Sequence, residues 1–517
     1  MMNTMKNNPA ITRAFLLVVG LVSVFGSCFA QEKINYKSDW GERMPSFPNH
    51  LVLKGNVVFE HEGMIMLCDS AILNKTENYI SAYNNIHIYE DTVHLYGDEL
   101  FYDGNTKVAE IFGKVVTLHD GKVTLQTDYM LLDRVENNVR YTNKADIWDE
   151  ENVLKSRFGT YYIDTKYFEF TDNVEINTPN AFIQSDSVAY DSRSHESYFF
   201  AQTDIFTTDS VRILTTKGQY NTETEDAVLR RDNCIIRDSK TLKADSILYN
   251  TKKDVGKAFF NVTINDTAND IMTRSDYLEL DKKDSLPYAF LTGRLCVMQT
   301  EKEDTLYMHG DTLWVDFDTA MHAKELMAYA HAKVFKKDVQ LAAEMIHYFV
   351  DDSLAFLTVR PVMWNEENQF TADTIVLTVA EGGIKSMRMY PNSFIVQNSD
   401  TATEMYFNQV SGRVFDAEFE DSRIAYAQMQ GNVRTIYHFW EEDKDKKQLT
   451  GINIGSSVGL KMYFKKGKLE KMTAVDKPEF YLDDKDRIKE EDKMLKGFIW
   501  LESQRPLSPQ DIFKHRD

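Results

Sequence analysis

The chain has 517 residues, with 80 acidic and 59 basic side chains and a formal net charge of −21 at pH 7. This length allows either several domains or one long repeat array. So large an acidic excess argues against nucleic-acid binding through phosphate neutralisation and against a polybasic contact with anionic lipid headgroups.

The N-terminal stretch 1–30 has the pattern of a bacterial secretory signal. Lys6 and Arg13 precede the apolar run AFLLVVGLVSVF, and GSCFA then offers a small-residue cleavage site. Cleavage after Ala30 is predicted, and the alternative is a lipoprotein attached through Cys28. No later run reaches the ~18 apolar residues that a spanning helix needs. We therefore expect a secreted periplasmic protein that is soluble or associated with the outer membrane.

A short unit recurs through the middle of the chain. In GDELFYD (97–103), SDSVAYD (185–191) and ADSILYN (244–250), an acid is followed by apolar residues two and four places later. This alternation with a period of two predicts a strand with one buried face. Twelve copies, spaced by about 30 residues, begin at anchor residues Asp69, Asp98, Asp128, Gly159, Asp186, Gly218, Asp245, Asp276, Asp311, Glu344, Asp373 and Gly412.

Each copy has a second half made of two short alternating runs. In YISAYNNIHIYED (79–91) and YFEFTDNVEINT (167–178), these runs are joined by Asn or Asp, which tolerate turn geometry. The stretch 320–335 could pass for a helix in isolation, but its place in the repeat predicts a strand. One copy cannot bury its apolar face alone, so stacked copies must share a core. The pattern predicts an all-β array of about 12–13 strand-pair repeats, either a closed β-helix or two sheets folded into a V.

The apolar residues after the anchors are candidates for lining an interior groove, and their alternative role is plain core packing. Positions three after the anchor, such as Phe101 and Trp314, are also apolar. With 31 Phe and 26 Tyr in the chain, this surplus of aromatic surface suggests a groove for an apolar ligand. The candidate lining residues are Leu100, Tyr102, Met130, Leu132, Tyr161, Ile163, Val188, Tyr190, Ile247, Tyr249, Leu278, Leu313 and Val315.

No catalytic residue, metal site or cofactor is predicted. The recurring acids could be the paired carboxylates of a glycoside hydrolase, but their presence in most copies favours corner residues that cap turn amides. The 12 His show no H-E-x-x-H spacing, and strands separate His309 from His322. Cys68, Cys234 and Cys296 are far apart, which favours buried thiols over disulfides or metal ligands.

The stretches LVLKGNVVFEHEGMIMLCDSAILNKTENYISAYNNIHI and GDELFYDGNTKVAEIFGKVVTL resemble OstA-like proteins, the relatives of LptA, LptC and the periplasmic part of LptD. The tail sequences SSVGLKMYFKKGKLEKM and FIWLESQRPLSPQDIF also resemble those of OstA-like proteins from Bacteroidetes-type bacteria. The resemblance implies a β-jellyroll trough, or β-taco, holding lipid A acyl chains of lipopolysaccharide (LPS). It further implies edge-strand docking with other Lpt-type β-jellyroll proteins, and an outer-membrane LptD-like barrel as a further candidate partner.

We expect four regions: a signal peptide at 1–30, the array at 31–440, a terminal β repeat at 441–482 after a loop of mixed charge, and a charged tail at 483–517. The tail could be a partner-docking peptide or a strap across the last coil. Three functions are open. The favoured one is a non-catalytic scaffold that shields and conducts LPS toward the outer membrane. The others are a structural or adhesive solenoid that assembles through its edge strands, and a polysaccharide-active β-helix enzyme.

Overall fold

The computed structural model describes residues 34–301, 304–380, 383–400, 405–420, 422–443, 446–465, 468–484 and 486–515. The signal peptide predicted at residues 1–30, with Cys28, lies outside them. The described residues fall into two compact units. The first lies within Met1–Glu150 plus Thr160–Asp164, and the second within Glu151–Gly159 plus Thr165–Asp517.

The described chain consists of strands connected by short turns, so the predicted all-β fold is confirmed. The strands up to residue 150 are β1 (Asn35–Lys37), β2 (Trp40–Met44), β3 (Phe47–His61), β4 (Met64–Asn74), β5 (Tyr79–Glu90), β6 (Val93–Asp103), β7 (Val108–Asp120), β8 (Val123–Asp133), β9 (Asn138–Tyr141) and β10 (Ala145–Asp149).

The next strands, up to residue 301, are β11 (Asn152–Ser156), β12 (Phe158–Tyr162), β13 (Tyr167–Asn177), β14 (Ala181–Asp191), β15 (Glu196–Phe199), β16 (Thr203–Thr207), β17 (Arg212–Thr215), β18 (Lys217–Asn221), β19 (Asp226–Arg231), β20 (Asn233–Arg237), β21 (Lys240–Ala244), β22 (Ser246–Asn250), β23 (Val255–Asp266), β24 (Ile271–Lys283), β25 (Leu286–Thr292) and β26 (Cys296–Glu301).

The remaining strands are β27 (Asp304–His309), β28 (Thr312–Phe317), β29 (Ala323–Phe335), β30 (Val339–Phe349), β31 (Leu354–Thr358), β32 (Val362–Asn365), β33 (Asn368–Thr371), β34 (Thr374–Ala380), β35 (Gly383–Tyr390), β36 (Ser393–Asn398), β37 (Phe407–Gly412), β38 (Val414–Glu420), β39 (Arg423–Asp443), β40 (Lys446–Lys465), β41 (Lys468–Val475) and β42 (Glu479–Asp483). The helix-like stretch at 320–335 is strand β29, as the repeat predicts. Three 3-10 helices follow at Glu490–Asp492, Glu502–Gln504 and Pro509–Phe513. Nowhere in the described part of the chain is a helix long and apolar enough to cross a membrane.

Each repeat is a pair of antiparallel strands that bend near their middle. Strand β4 pairs with β5 on both sides of a register shift between Leu67 and Ser70. On β5 the bend lies at Asn84 and Asn85, whose φ angles are 63° and 51°. Asn tolerates this left-handed backbone because its short polar side chain can hydrogen-bond locally. The bends divide the strands into two layers. Layer A contains the half-strands that follow the anchors, together with the half-strands that pair with them. Layer B contains the half-strands that precede the anchors, together with their own pairing partners.

Anchor acids lie at these bends and bind the bend of the following strand. The carboxylate accepts a hydrogen bond from an Asn side chain in several repeats and forms an ion pair with Arg in others. These contacts give the acids a structural role at the bends, mostly through side-chain groups, while at Asp98 the carboxylate accepts from the backbone N–H of Lys114, the turn-amide contact that the sequence favours. The carboxamide pairs are Asp69–Asn85 at 2.7 Å, Asp128–Asn143 at 2.7 Å, Asp245–Asn261 at 2.8 Å and Asp373–Asn392 at 3.0 Å, and the ion pairs are Asp276–Arg294 and Glu344–Arg360.

Two of the aromatic side chains three positions after the anchors, Phe101 and Trp314, point away from the interior. In the first unit, Phe101 lies in a cross-strand ladder with Tyr83 and Phe112, at centroid separations of 6.4 and 5.9 Å. In the second unit, Trp314 stacks on Tyr288 at 4.4 Å. The expectation that this aromatic surplus lines a groove is therefore wrong at these positions. The period of two places residue +3 on the face opposite to +2 and +4.

The C-terminal segment 486–515, here called the strap, runs back along the outer face of layer B in the second unit. Gln409 donates to the carbonyl of Lys493 (3.0 Å) and accepts from the N–H of Leu495 (2.8 Å). Gln369 does the same with Ile499 and Leu501, at 2.8 and 2.7 Å. Layer B is thus covered on both faces here, which explains the uninterrupted buried run of β32. Of the two roles considered for the tail, the structure shows a strap, and it spans many repeats.

Candidate functional site

The predicted lining residues of the first unit lie inside a closed interior. Leu100, Tyr102, Met130 and Tyr161 have no exposed surface, and Leu132 is 6% exposed. A side chain without accessible surface adjoins no space that admits a water molecule. Ile163 lies in the turn after β12 and is half-buried. In this conformation these residues pack against one another, and a lipid could reach them only if the two layers moved apart.

Two interior tyrosines of the first unit reach across from layer A to polar groups of layer B. The hydroxyl of Tyr102 lies 2.7 Å from Nδ1 of His61, and that of Tyr161 donates to Asp120 at 2.7 Å. Burial is the main cause that raises the pKa of both tyrosines, and the Asp120 carboxylate adds to it at Tyr161. Both phenol side chains therefore stay neutral. Their hydroxyl contacts join the edge of layer A to the edge of layer B.

One line of paired residues in layer A follows the interior of the second unit, and we call it the inner row. Its members are aligned by strand register and point toward layer B. In order they are Phe168, Tyr190, Ser197, Tyr220, Ala227, Tyr249, Gly256, Leu280, Ala289, Val315, Leu326 and Tyr348.

The part of the inner row from β13 to β22, here called the closed segment, alternates large and small residues. Tyr190 and Tyr220 have no exposed surface, and Tyr249 is 8% exposed. Ser197 and Ala227 between them leave room for the neighbouring rings, which is how interdigitated cores reach high density. The predicted lining residues Val188 and Ile247 are equally buried in the adjoining row.

Polar contacts join the two rims of the closed segment. Asn152 of layer B donates to the hydroxyl of Tyr190 at 3.2 Å. Further along, Arg237 of layer B contacts both Tyr249 (3.2 Å) and Asp254 (2.6 Å) on the layer A rim. Burial and then the nearby Asp254 carboxylate raise the pKa of Tyr249, so its hydroxyl remains a donor. These contacts, with the two described next, are called the clasps.

A third group of the clasps lies between Tyr190 and Tyr249. The side chain of Asn180, on the layer B rim, donates to Glu225 at 2.8 Å, and Thr251 donates to the same carboxylate at 2.9 Å. Glu225 is buried, and a buried carboxylate is tolerated only when its oxygens are hydrogen-bonded. The closed segment is therefore fastened along its length.

The part of the inner row from β23 to β30, here called the half-open segment, has a different character. This part of the row contains Leu280 and Leu326, which are both partly exposed, whereas the closed segment contains several tyrosines. Of the predicted lining residues, Leu278 and Leu313 lie in the adjoining row, at 6% and 2% exposure, and Val315 lies in the inner row itself, at 8%. Apolar surface is thus accessible along the layer A rim.

Layer B presents a matching apolar rim in the half-open segment. Ile271, Gln299 and Leu306 are aligned by strand pairing, and all three are partly exposed. Ile264 and Met308 lie one step closer to the bends and are also partly exposed. Together with Leu280 and Leu326, these side chains define a half-open groove. Ile271, Leu306 and the two leucines of layer A offer methyl and methylene groups to an aliphatic ligand, while Gln299 and Asp266, which pairs with Ile271, add polar groups to the layer B rim.

Three cysteines are buried, as the sequence predicts. Cys68, Cys234 and Cys296 are free thiols and are buried. Burial raises the pKa of Cys68 to about 12. A thiol of that pKa is neither a nucleophile nor a ready metal ligand at neutral pH.

The residues that define the half-open groove and grip the strap were not identified from the sequence. Leu280 and Leu326 obey the same alternation as every other interior position. Gln340, Gln369 and Gln409 are polar residues at positions that alternate outward, which looks like ordinary solvent exposure. The one available signal was the group of apolar residues in the FIWLESQRPLSPQDIF stretch of the otherwise charged tail, because such residues need a surface to cover.

Comparison with known proteins gives a partial match. Residues 41–186 match the family model described as OstA-like protein. Nineteen solved chains are similar, among them LptH from Pseudomonas aeruginosa, described as the LptA-homologous periplasmic component of the conserved lipopolysaccharide transport device. It is 16% identical, with 27% of this chain and 75% of that chain covered and a TM-score of 0.16. A TM-score this low does not establish a common fold for the two whole chains. No curated protein matches the chain.

Proposed function

From the OstA-like character of residues 41–186, we propose that the protein is a non-catalytic periplasmic scaffold that shields acyl chains of lipopolysaccharide on their way to the outer membrane. The observation that carries the proposal is the half-open groove, where Leu280, Leu326, Ile271 and Leu306 leave aliphatic surface accessible between two layers. Contact with acyl chains rather than headgroups also accommodates the net charge of −21, because LPS is itself anionic.

The energetics favour entry of an acyl chain at this groove. Each CH₂ group withdrawn from water contributes about 0.8 kcal/mol, so ten methylenes contribute roughly 8 kcal/mol. A clasp hydrogen bond of the closed segment contributes only about 1 kcal/mol net. A chain that has entered the half-open groove could therefore compensate for opening a neighbouring clasp and advance along the row.

Docking to similar proteins is the second part of the proposal. The last strand, β42, exposes Phe480, Tyr481 and Leu482, and pairs only along its β40 side in the described part of the chain. An unpaired strand edge with apolar side chains is a template for a strand of another chain. We propose that another β-jellyroll protein of the Lpt type docks at this edge.

A structural role is the second candidate, and the closed packing of the first unit favours it. A solenoid that serves only as a support would be filled throughout, as Leu100, Tyr102 and Met130 are. The half-open groove separates the two candidates, because a pure support has no use for accessible aliphatic surface between its layers.

Site-specific photo-crosslinking in cells tests the proposal. A benzophenone amino acid replaces Leu280 or Leu326 in the groove, and Phe290 on the outer face of the same segment serves as the matched control. We expect LPS adducts at 280 and 326 and none at 290. If positions 280 and 326 label no LPS, and depletion of the protein leaves surface LPS unchanged, lipid shielding is refuted and the structural role stands. The same probe at Tyr161 or Tyr249 shows whether the closed interior also opens.

A further inference from the structure

The end of the strap brings a third ligand-bearing side chain to one bend of the array. Asp311 and His331 form the bend contact of this repeat, with Nδ1 of His331 2.9 Å from the carboxylate. The ring of His515 lies at 4.4 Å from that of His331, at an interplanar angle of 84°. One ligand atom from each of the three residues lies within 4.8 Å of the others.

The anchor acid at this bend, Asp311, has a different kind of partner from the acidic anchors of other repeats. In six other repeats the anchor acid meets a carboxamide, as at Asn261 and Asn392, or a guanidinium, as at Arg294, and at Asp98 it accepts from the backbone N–H of Lys114. Those groups satisfy a carboxylate but cannot bind a metal ion through nitrogen. Imidazole can do both, and here two imidazoles converge on one carboxylate.

The position of His515 is fixed by the residues before it. Lys333 donates to the carbonyl of Lys514 at 2.6 Å, and Phe513 packs edge-on against buried His309 at 5.0 Å. Ile512 is fully buried. Because Ile512, Phe513 and Lys514 anchor the strap directly before His515, binding a ligand at this bend would cost little conformational entropy of the strap.

We propose that Asp311, His331 and His515 bind one Zn²⁺ ion, which fastens the end of the strap to the array. Two imidazoles and one carboxylate are a ligand set that suits Zn²⁺, with water at the fourth position. Mg²⁺ and Ca²⁺ prefer all-oxygen sites, so they are not expected to compete. The ligands lie 20 and 184 positions apart in the chain, which is why no sequence motif reveals them.

Calorimetric titration of the full-length mature protein, with any tag removed and metals stripped, tests the site. Zn²⁺ should bind with one-to-one stoichiometry and a dissociation constant of about 1 µM or tighter, and Mg²⁺ should not bind. His515→Ala should weaken Zn²⁺ binding at least about tenfold. Asp311→Asn should weaken it as well, because a neutral carboxamide is a poorer Zn²⁺ ligand than a carboxylate, although its oxygen can still accept a hydrogen bond from His331. His322→Ala is the matched control, since His322 is exposed and contacts Asp318 outside the cluster.

Hydrogen exchange supplies the second measurement. Zn²⁺ should slow exchange in residues 506–514 of the unsubstituted protein and leave the His515→Ala variant unchanged. If the unsubstituted protein binds no Zn²⁺ in the micromolar range, or if His515→Ala binds as tightly, the three residues form a hydrogen-bonded cluster only and the proposal fails. Neither result bears on lipid shielding, which depends on a different face of the molecule.

Discussion

The closed and half-open segments of the second unit are built from the same repeat, yet they differ at one row of side chains. From Tyr190 to Tyr249 in the closed segment the inner row alternates tyrosine with serine or alanine, and the hydroxyls of Tyr190 and Tyr249 meet Asn152 and Arg237 across the rim. In the half-open segment the same row carries Leu280 and Leu326, which have no hydroxyl to place there. The difference teaches that side-chain chemistry at the rims separates the two segments: hydroxyl, carboxylate and guanidinium contacts join the rims of one, and leucines leave apolar surface accessible in the other.

The largest expected effect comes from truncating a leucine in each segment. Leu229→Ala should destabilise the closed segment by about 2–5 kcal/mol, because Leu229 is fully buried and a cavity would remain. Leu326→Ala should cost only about 1 kcal/mol, since that side chain is already partly exposed. Hydrogen exchange across β18–β22 and β28–β30 measures the two local opening free energies. Equal losses at the two sites would contradict the distinction between the segments.

The strap supplies the next comparison, between the outer and the inner face of layer B. Gln369→Ala removes both hydrogen bonds that hold Ile499 and Leu501, so strap docking should weaken by about 2 kcal/mol. Gln299→Ala is the control on the inner face of the half-open segment and should change little, within about 0.5 kcal/mol. The measurement is the rate of tryptic cleavage at Lys496 under native conditions. Unchanged cleavage in Gln369→Ala would show that the apolar contacts alone hold the strap.

The smallest expected effect comes from the loss of one hydroxyl contact from the clasps, and it measures how much that contact stabilises the closed segment. Tyr249→Phe keeps the ring and removes the hydroxyl that contacts Asp254 at 2.8 Å, so the local opening free energy should fall by about 1 kcal/mol. Tyr348→Phe, a change in the half-open segment at a partly exposed ring, should have a smaller effect. Exchange rates of the amides around residues 249–254 and 348–353 report the two values. A larger loss at Tyr348 would mean that the rim of the half-open segment is also fastened by its tyrosine.

Much of the fold could be read from the sequence because it depends on short-range rules. Alternation with a period of two identifies strands and their buried side, and this worked even for 320–335, where helix propensity opposed it. The corner role of acids such as Asp69 followed from their recurrence at equivalent points of the repeat. The same alternation, applied consistently, would also have placed Phe101 and Trp314 on the outer face.

The sequence by itself determined the strands, the bends and which side chains face inward, because each of these depends on residues adjacent in the chain or one repeat away. The tertiary structure alone decided which rims are joined by side-chain contacts, since rims closed by Tyr249 and rims left half-open at Leu326 obey the same local pattern. It also decided the path of the strap and the meeting of His515 with His331. These contacts join residues 84 or more positions apart, with 84 between Gln409 and Lys493 and 184 between His331 and His515, and no periodicity of the chain encodes such distances.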